Sequence, residues 1–226
     1  MDHTVTNLLS IKEEINLKNQ NKVKIIAVSK TFSEEKILPL IKYGHKDFGE
    51  NKVQEAVAKW TSLKEKNSDI KLHMIGKLQT NKVKEAVRIF DTIHSLDSIK
   101  LAEKISKEQK KIDKNLKILI QINIGEEIQK SGIDINDVKN LLNISINELK
   151  LNITGLMCIP PNDNNEEKYF LKMKELKDEL RLDDLSMGMS NDYLKAIRYG
   201  STYVRIGSKI FGKRIDDDGF ISEGER

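Results

Sequence analysis

One pattern constrains this chain more than any other. A short apolar, β-branched run is followed by a stretch whose apolar residues recur every three to four positions, and the unit repeats from one end to the other. The run at residues 23–28 leads to a helix that Ser33 can cap, with Glu34 and Glu35 in its first turn, Ile37, Leu40 and Ile41 on its apolar face, and Gly44 at its end. Asp47–Glu50 precedes a helix bearing Val53, Ala56, Val57 and Trp60, and residues 72–75 precede one bearing Val83, Ala86 and Val87. Thr92–Leu96 leads to a lysine-rich helix ending near Lys111, and residues 116–124 lead to one with Val138, Leu141 and Leu142. The sixth run, 153–159, meets Pro160-Pro161, which block helix and force a loop before a helix over about 166–180. Residues 185–187 precede Leu194 and Ile197, and Tyr203–Ile206 is the eighth run. Before the first unit, Val5, Leu8, Leu9 and Lys12 stand at helical spacing and predict a leading helix to about Lys18.

Strands and helices alternating at this spacing imply parallel strands with right-handed crossovers. Eight of them favour a closed (β/α)₈ barrel over an open, doubly wound sheet. No Pro/Gly/Ser-rich linker interrupts the repeats, so residues 1–226 are read as one domain.

Totals narrow the function. The net charge of +4 is the difference between 39 basic and 35 acidic residues, and aromatics are 5% of the chain, so dedicated nucleic-acid binding is not expected. The basic run of Lys100, Lys104, Lys107, Lys110 and Lys111 reads as a solvated helix face. A single cysteine, Cys158, excludes an internal disulfide and reads as a small buried residue. No apolar run approaches membrane-span length and the first residues carry no export signal, so a cytoplasmic protein that stays off the membrane is expected.

In barrels of this kind ligands bind at the carboxyl ends of the strands, and the loops after strands seven and eight form the usual phosphate site. The carboxyl ends collect Lys30, Asn51, Gly76, His94, Met157, Ser190 and Arg205 with Gly207. Lys30, shielded from bulk water at a strand end, is a usable amine for a Schiff base, although by itself it is one surface amine among many. Ser190-Asn191-Asp192 opens a helix, offering N–H groups and the Ser190 hydroxyl to a phosphate, or merely an N-cap. Gly207 lets backbone approach an anion closely, with the Ser208 hydroxyl beside it. The segment from Gly207 to Lys213 has the spacing of a nucleotide-binding P-loop, but Arg214 stands where the magnesium-binding Ser or Thr should be, and Asp216, Asp217, Asp218 and Gly219 follow. His3, His45, His73 and His94 have no ligand spacing, and no Gly-x-Ser-x-Gly elbow occurs, so metal and serine-hydrolase chemistry lack carriers.

Seven blocks then carry a resemblance: Ala27-Val28-Ser29-Lys30-Thr31; residues 48–55, beginning Phe48-Gly49-Glu50-Asn51; residues 73–82, His73 to Lys82; Lys130-Ser131-Gly132; Gly155-Leu156-Met157; residues 185–190; and residues 200–207. Together, over roughly residues 23–214, they resemble the pyridoxal phosphate homeostasis protein family, itself similar to the amino-terminal barrel domain of alanine racemase. The resemblance implies that Lys30 holds pyridoxal 5′-phosphate as a Schiff base. It implies further that Ser190, Gly207 and Ser208 bind the phosphate, that Arg205 faces the pyridine nitrogen, and that Asn51 neighbours the ring. A guanidinium there disfavours protonation of that nitrogen and weakens the cofactor as an electron sink. Racemases of this type draw an opposing acid/base from a second domain, for which no sequence follows here. Departures at Lys77, in the lysine-heavy 107–117 segment and at Cys158 touch none of these positions. The resemblance therefore implies a non-catalytic carrier that buffers pyridoxal phosphate or delivers it to apo-enzymes, with a slow amino-acid racemase as the alternative. A monomer is expected.

Overall fold

Closure, the step that repeat counting leaves to inference, is explicit in the register of the first and last strands. β1 (Lys24–Val28) lies parallel to β8 (Tyr203–Ile206), with Lys24 opposite Tyr203, Ile26 opposite Arg205 and Ala27 opposite Ile206. In between run β2 (Asp47–Glu50), β3 (Lys71–Met74), β4 (Thr92–Leu96), β5 (Lys117–Ile122), β6 (Asn152–Cys158) and β7 (Asp184–Ser186), each paired with the next in a closed barrel. The computed structural model describes residues 2–17, 23–126 and 131–212 and the backbone of 214–215 and 221–222. Lys18, Lys130, Lys213 and residues 216–219, which figure in the expectations above, lie outside them.

Most strand positions are buried on both faces, which is why runs such as residues 25–28 and 118–120 are continuously apolar rather than alternating, while β4 also buries Thr92, His94 and Ser95. Outward residues such as Ala27, Phe48, Leu72, Ile118, Leu156 and Val204 join the helices in the main core, while Ile26, Leu119, Met157 and Tyr203 pack together inside the barrel. The helices are α2 (Glu34–Tyr43), α3 (Val53–Lys66), α4 (Val83–Ile89), α5 (Ile99–Lys110), α6 (Val138–Asn143), α7 (Glu166–Glu179), α8 (Tyr193–Arg198) and α9 (Ser208–Phe211). The leading helix α1 (His3–Asn16) is capped by the Asp2 carboxylate, which accepts from the Thr4 N–H at 2.8 Å. It buries Val5, Leu8, Ile11 and Ile15 and flanks the ring between α2 and α9, with the Asn7 amide donating to the Ile210 carbonyl at 2.9 Å.

β3, β6 and β7 start one residue earlier than apolar periodicity places them, because their first residues, Lys71, Asn152 and Asp184, are polar, whereas β5 starts at Lys117, one residue inside the expected run. Some of these meet on the barrel floor. The Lys117 ammonium lies 3.3 Å from the Asp184 carboxylate and 3.4 Å from the Tyr203 hydroxyl. Beyond the barrel, an antiparallel ribbon of β9 (Arg214–Ile215) and β10 (Ile221–Ser222) has no counterpart in the expected repeat. Among the described residues no helix is long and apolar enough to cross a membrane.

His45, just before β2, gives a prediction. It is buried and its Nε2–H donates to the Asp47 carbonyl at 2.9 Å, and burial draws its pKa down to about 4. The unfolded chain therefore binds a proton near pH 6.5 that the folded chain refuses until about pH 4, so this contribution falls as pH falls through that window. By pH 4 His45 alone should cost about 3 kcal/mol relative to pH 7. Urea unfolding of His45→Gln should show a shallower loss of stability over that range than the parent chain, and parallel curves would contradict it.

Candidate functional site

Lys30 follows β1 by two residues, half-buried between the buried Ser29 and the exposed Thr31, whose φ of 68° lies in the left-handed region. Pairing of β1 with β8 sets the β8 loop beside it. Gly207, directly after β8, faces Val28, and a Cβ added at Gly207 would meet the Val28 side chain and carbonyl at 3.5 Å, an ordinary contact. Its φ of −109° suits any residue, so the chain's own packing makes no demand for glycine here. Gly207 thus brings its backbone against Val28, two residues short of Lys30.

The β7 loop reaches the same point. The Lys209 N–H, in the first turn of α9, donates to the Ser190 Oγ at 3.4 Å, so Ser190, Gly207 and Ser208 converge. Ser190 does not cap α8. Asp192 occupies the N-cap position and turns its carboxylate back to accept from the Met189 N–H at 2.6 Å, because the loop between Ser186 and Tyr193 is longer than the periodicity suggested. The Lys209 ammonium is held by Glu14 at 3.0 Å and by the Tyr193 hydroxyl at 2.7 Å, tying α1 to these loops.

Arg205 projects into the barrel, where Nη1 donates to the Ser186 Oγ and Nη2 to the Cys158 carbonyl, each at 2.8 Å. Burial draws its pKa down, yet a guanidinium stays charged. Burial pushes the Cys158 thiol up to about 12, leaving it a neutral packing residue. Asn51 is half-buried after β2, and its backbone lies so close to Gly76 that any Cβ there would strike it.

His94 is not at the carboxyl end. β4 continues to Leu96, and strand alternation turns His94 into the barrel toward the floor. Its Nε2 lies 2.9 Å from His73 Nδ1, and His73 Nε2 lies 3.0 Å from the Asp47 carboxylate. With Asp47 accepting, His73 donates through Nε2 and accepts from His94, whose buried Nδ1 is left without a hydrogen-bond partner. Burial holds the His94 pKa well below the usual histidine range. Met157 is likewise interior, packed with Ile26, Leu119 and Tyr203. On α5, Lys104 and Lys111 pair with Glu108 at 2.9 and 3.0 Å, which offsets part of the basic run. Among the described residues no group of three or more His, Cys, Asp or Glu could hold a metal ion. The sequence reading passed over Glu50, Glu55 and Lys59, which surround the Lys30 turn. They lie 20 to 29 positions from it, and one sequence carries no signal of that contact.

A closed parallel barrel with a lysine at the end of β1 and converging loops after β7 and β8 defines a class. The sequence model of the alanine racemase N-terminal domain matches residues 2–214. Within that class, the chain belongs to the pyridoxal phosphate homeostasis protein family. It is 40% identical to the pyridoxal phosphate homeostasis protein of Aquifex aeolicus (strain VF5) over 206 residues, covering 87% of this chain and 90% of that one. It is 41% identical to that of Pasteurella multocida (strain Pm70), covering 86% and 88%. Among solved structures, PipY of Synechococcus elongatus PCC7942 matches with a TM-score of 0.86 without pyridoxal phosphate and 0.83 with it bound, at 33% identity. These matches cover 93% and 92% of this chain and all of PipY. Alanine racemase of Clostridium difficile 630 shares the fold at a TM-score of 0.73 and 18% identity, and this chain spans 59% of it.

Proposed function

We propose that this chain binds pyridoxal 5′-phosphate through Lys30 and serves its homeostasis, holding the cofactor reversibly and buffering it or passing it to apo-enzymes in the cytoplasm. The observation that carries the reading is the convergence of Ser190, Gly207 and Ser208 beside Val28, two residues from Lys30, around space that a Cβ at Gly207 would occupy. In this reading the Lys30 amine condenses with the aldehyde, releasing water. Ser190, Gly207 and Ser208 take the phosphate, Arg205 faces the ring nitrogen and Asn51 lies beside the ring. When bound, the cofactor supplies an electron sink for reactions of amino acids. Arg205, a permanent cation, keeps a proton off the atom it faces, which mutes that sink and favours carriage over turnover. The relatives' names and the pyridoxal-phosphate-bound PipY structure support the reading.

The test is the absorbance of the purified chain with added pyridoxal phosphate, before and after borohydride, followed by peptide mass mapping. The parent chain should show a visible band that borohydride fixes on the Lys30 peptide, and Lys30→Ala should show none. Gly207→Ala should be no less stable to urea yet bind the cofactor about tenfold more weakly or worse, a loss of roughly 1.4 kcal/mol. A parent chain that takes up no cofactor overturns the proposal. Deuterium entering the α-carbon of alanine faster than with free cofactor would replace carriage with the racemase alternative.

A further inference from the structure

The backbone on either side of Lys30 is gripped by one charge cluster, buried at Glu50 and Lys59 and half-buried at Glu55. Ser29 Oγ–H donates to Glu50 Oε1 at 2.7 Å, and the Ser29 carbonyl accepts from Lys59 Nζ at 2.9 Å. On the other side, the Thr31 N–H donates to Glu55 Oε1 at 2.5 Å. Lys59 Nζ joins the two halves, 3.0 Å from Glu50 Oε1 and 3.0 Å from Glu55 Oε1. Trp60 Nε1–H adds a third donor to Glu50 Oε1 at 2.9 Å, while the equally buried Oε2 has no hydrogen-bond partner. The Glu50 side chain is fully buried and that of Lys59 is 10% exposed.

Two physical arguments give this cluster a purpose beyond packing. Thr31 is β-branched and held at a φ of 68°, a conformation that costs about 1–3 kcal/mol and persists only where surrounding contacts over-determine it. A buried ion pair is also weak evidence of stabilisation, since apolar residues of similar volume often do as well. What this cluster does that apolar residues cannot is hold the carbonyl and hydroxyl of Ser29 and the N–H of Thr31, the two residues flanking Lys30, in one geometry.

We propose that Lys59, with Glu50 and Glu55, is a positioning group for Lys30. The cluster locks the Ser29–Thr31 turn in its strained conformation and so fixes the direction in which the Lys30 side chain leaves the end of β1. This rests on the reading of Lys30 as the cofactor amine. Lys59 itself touches no cofactor; it acts through the backbone of its neighbours.

The experiment compares the full-length parent chain with Lys59→Met, Lys59→Arg and the charge-neutral pair Glu50→Gln with Lys59→Met, which keeps a variant foldable if the unpaired Glu50 unfolds the first. Two readouts are taken: hydrogen exchange of the Thr31 amide without cofactor, and the rate at which borohydride-trapped pyridoxal phosphate accumulates on Lys30. In the neutral pair, Thr31 exchange should speed up and trapping should slow by about tenfold or more, with the urea midpoint little changed. Lys59→Arg should restore part of both. A folded neutral pair that keeps Thr31 protected and labels Lys30 at the parent rate overturns the positioning role while leaving the cofactor reading intact. A parent chain that never labels at Lys30 overturns both, and the two failures are told apart by the parent alone.

Discussion

Trp60→Ala should lower the unfolding free energy by about 3–5 kcal/mol, the range for deleting a buried aromatic and leaving a cavity. Trp60 is wholly buried on α3, packed against Phe48 of β2 with ring centroids 4.8 Å apart, and so joins the helix layer to the barrel wall. The substitution also removes one of the three donors on Glu50 Oε1. Trp60→Phe separates the two effects, because it keeps most of the ring volume and loses only the N–H, at a cost nearer 1 kcal/mol. Since Trp60 is the only tryptophan, urea unfolding should be followed by circular dichroism rather than fluorescence. A cost of less than about 1 kcal/mol for Trp60→Ala would mean that α3 does not dock as described.

Gly155→Ala should be damaging for a different reason. β6 shifts register against β5 between Ile153 and Gly155, and Gly155 lies opposite Asp184 of β7. A Cβ at Gly155 would come within 2.6 Å of the Asp184 carbonyl carbon and closer still to its oxygen. Backbone cannot swing aside as a flexible side chain can, and in a closed barrel β7 is held by β8 on its far edge. The cost should therefore reach or exceed the upper end of the roughly 1–3 kcal/mol usual for overpacking. The disturbance should also spread to the floor, where Asp184 accepts from the Thr202 hydroxyl at 3.2 Å and pairs with Lys117. Urea midpoints measured beside Gly207→Ala give the contrast, one glycine demanded by the fold and one that the fold does not need. Equal midpoints for both would refute the argument.

The strands that read most faithfully from the sequence are those whose limits are local. Thr92–Leu96 and Tyr203–Ile206 are found where the sequence places them, each a short run wholly buried in the barrel even though it carries polar residues such as His94 and Arg205. β3, β6 and β7 begin one position before their apolar runs, since a polar first residue such as Asp184 looks like loop until its floor partner is known. The order of Lys30, Ser190, Arg205, Gly207 and Ser208 along the chain was legible, as each follows or ends an apolar run and barrel geometry sends those ends to one face. His94 does not stand at the carboxyl end: within Thr92–Leu96 it is mid-strand, and its side chain turns into the barrel to meet His73.

Local patterning thus sufficed for the eight repeats and the parallel connections, because 2-residue and 3.6-residue periods are properties of neighbouring positions. Closure of β8 on β1, the meeting of Ser190 with the first turn of α9, and the grip of Glu50, Glu55 and Lys59 on the Lys30 turn were settled in three dimensions. Each joins groups far apart in the chain, and such contacts follow from barrel packing, of which the order of residues along one strand or helix holds no trace.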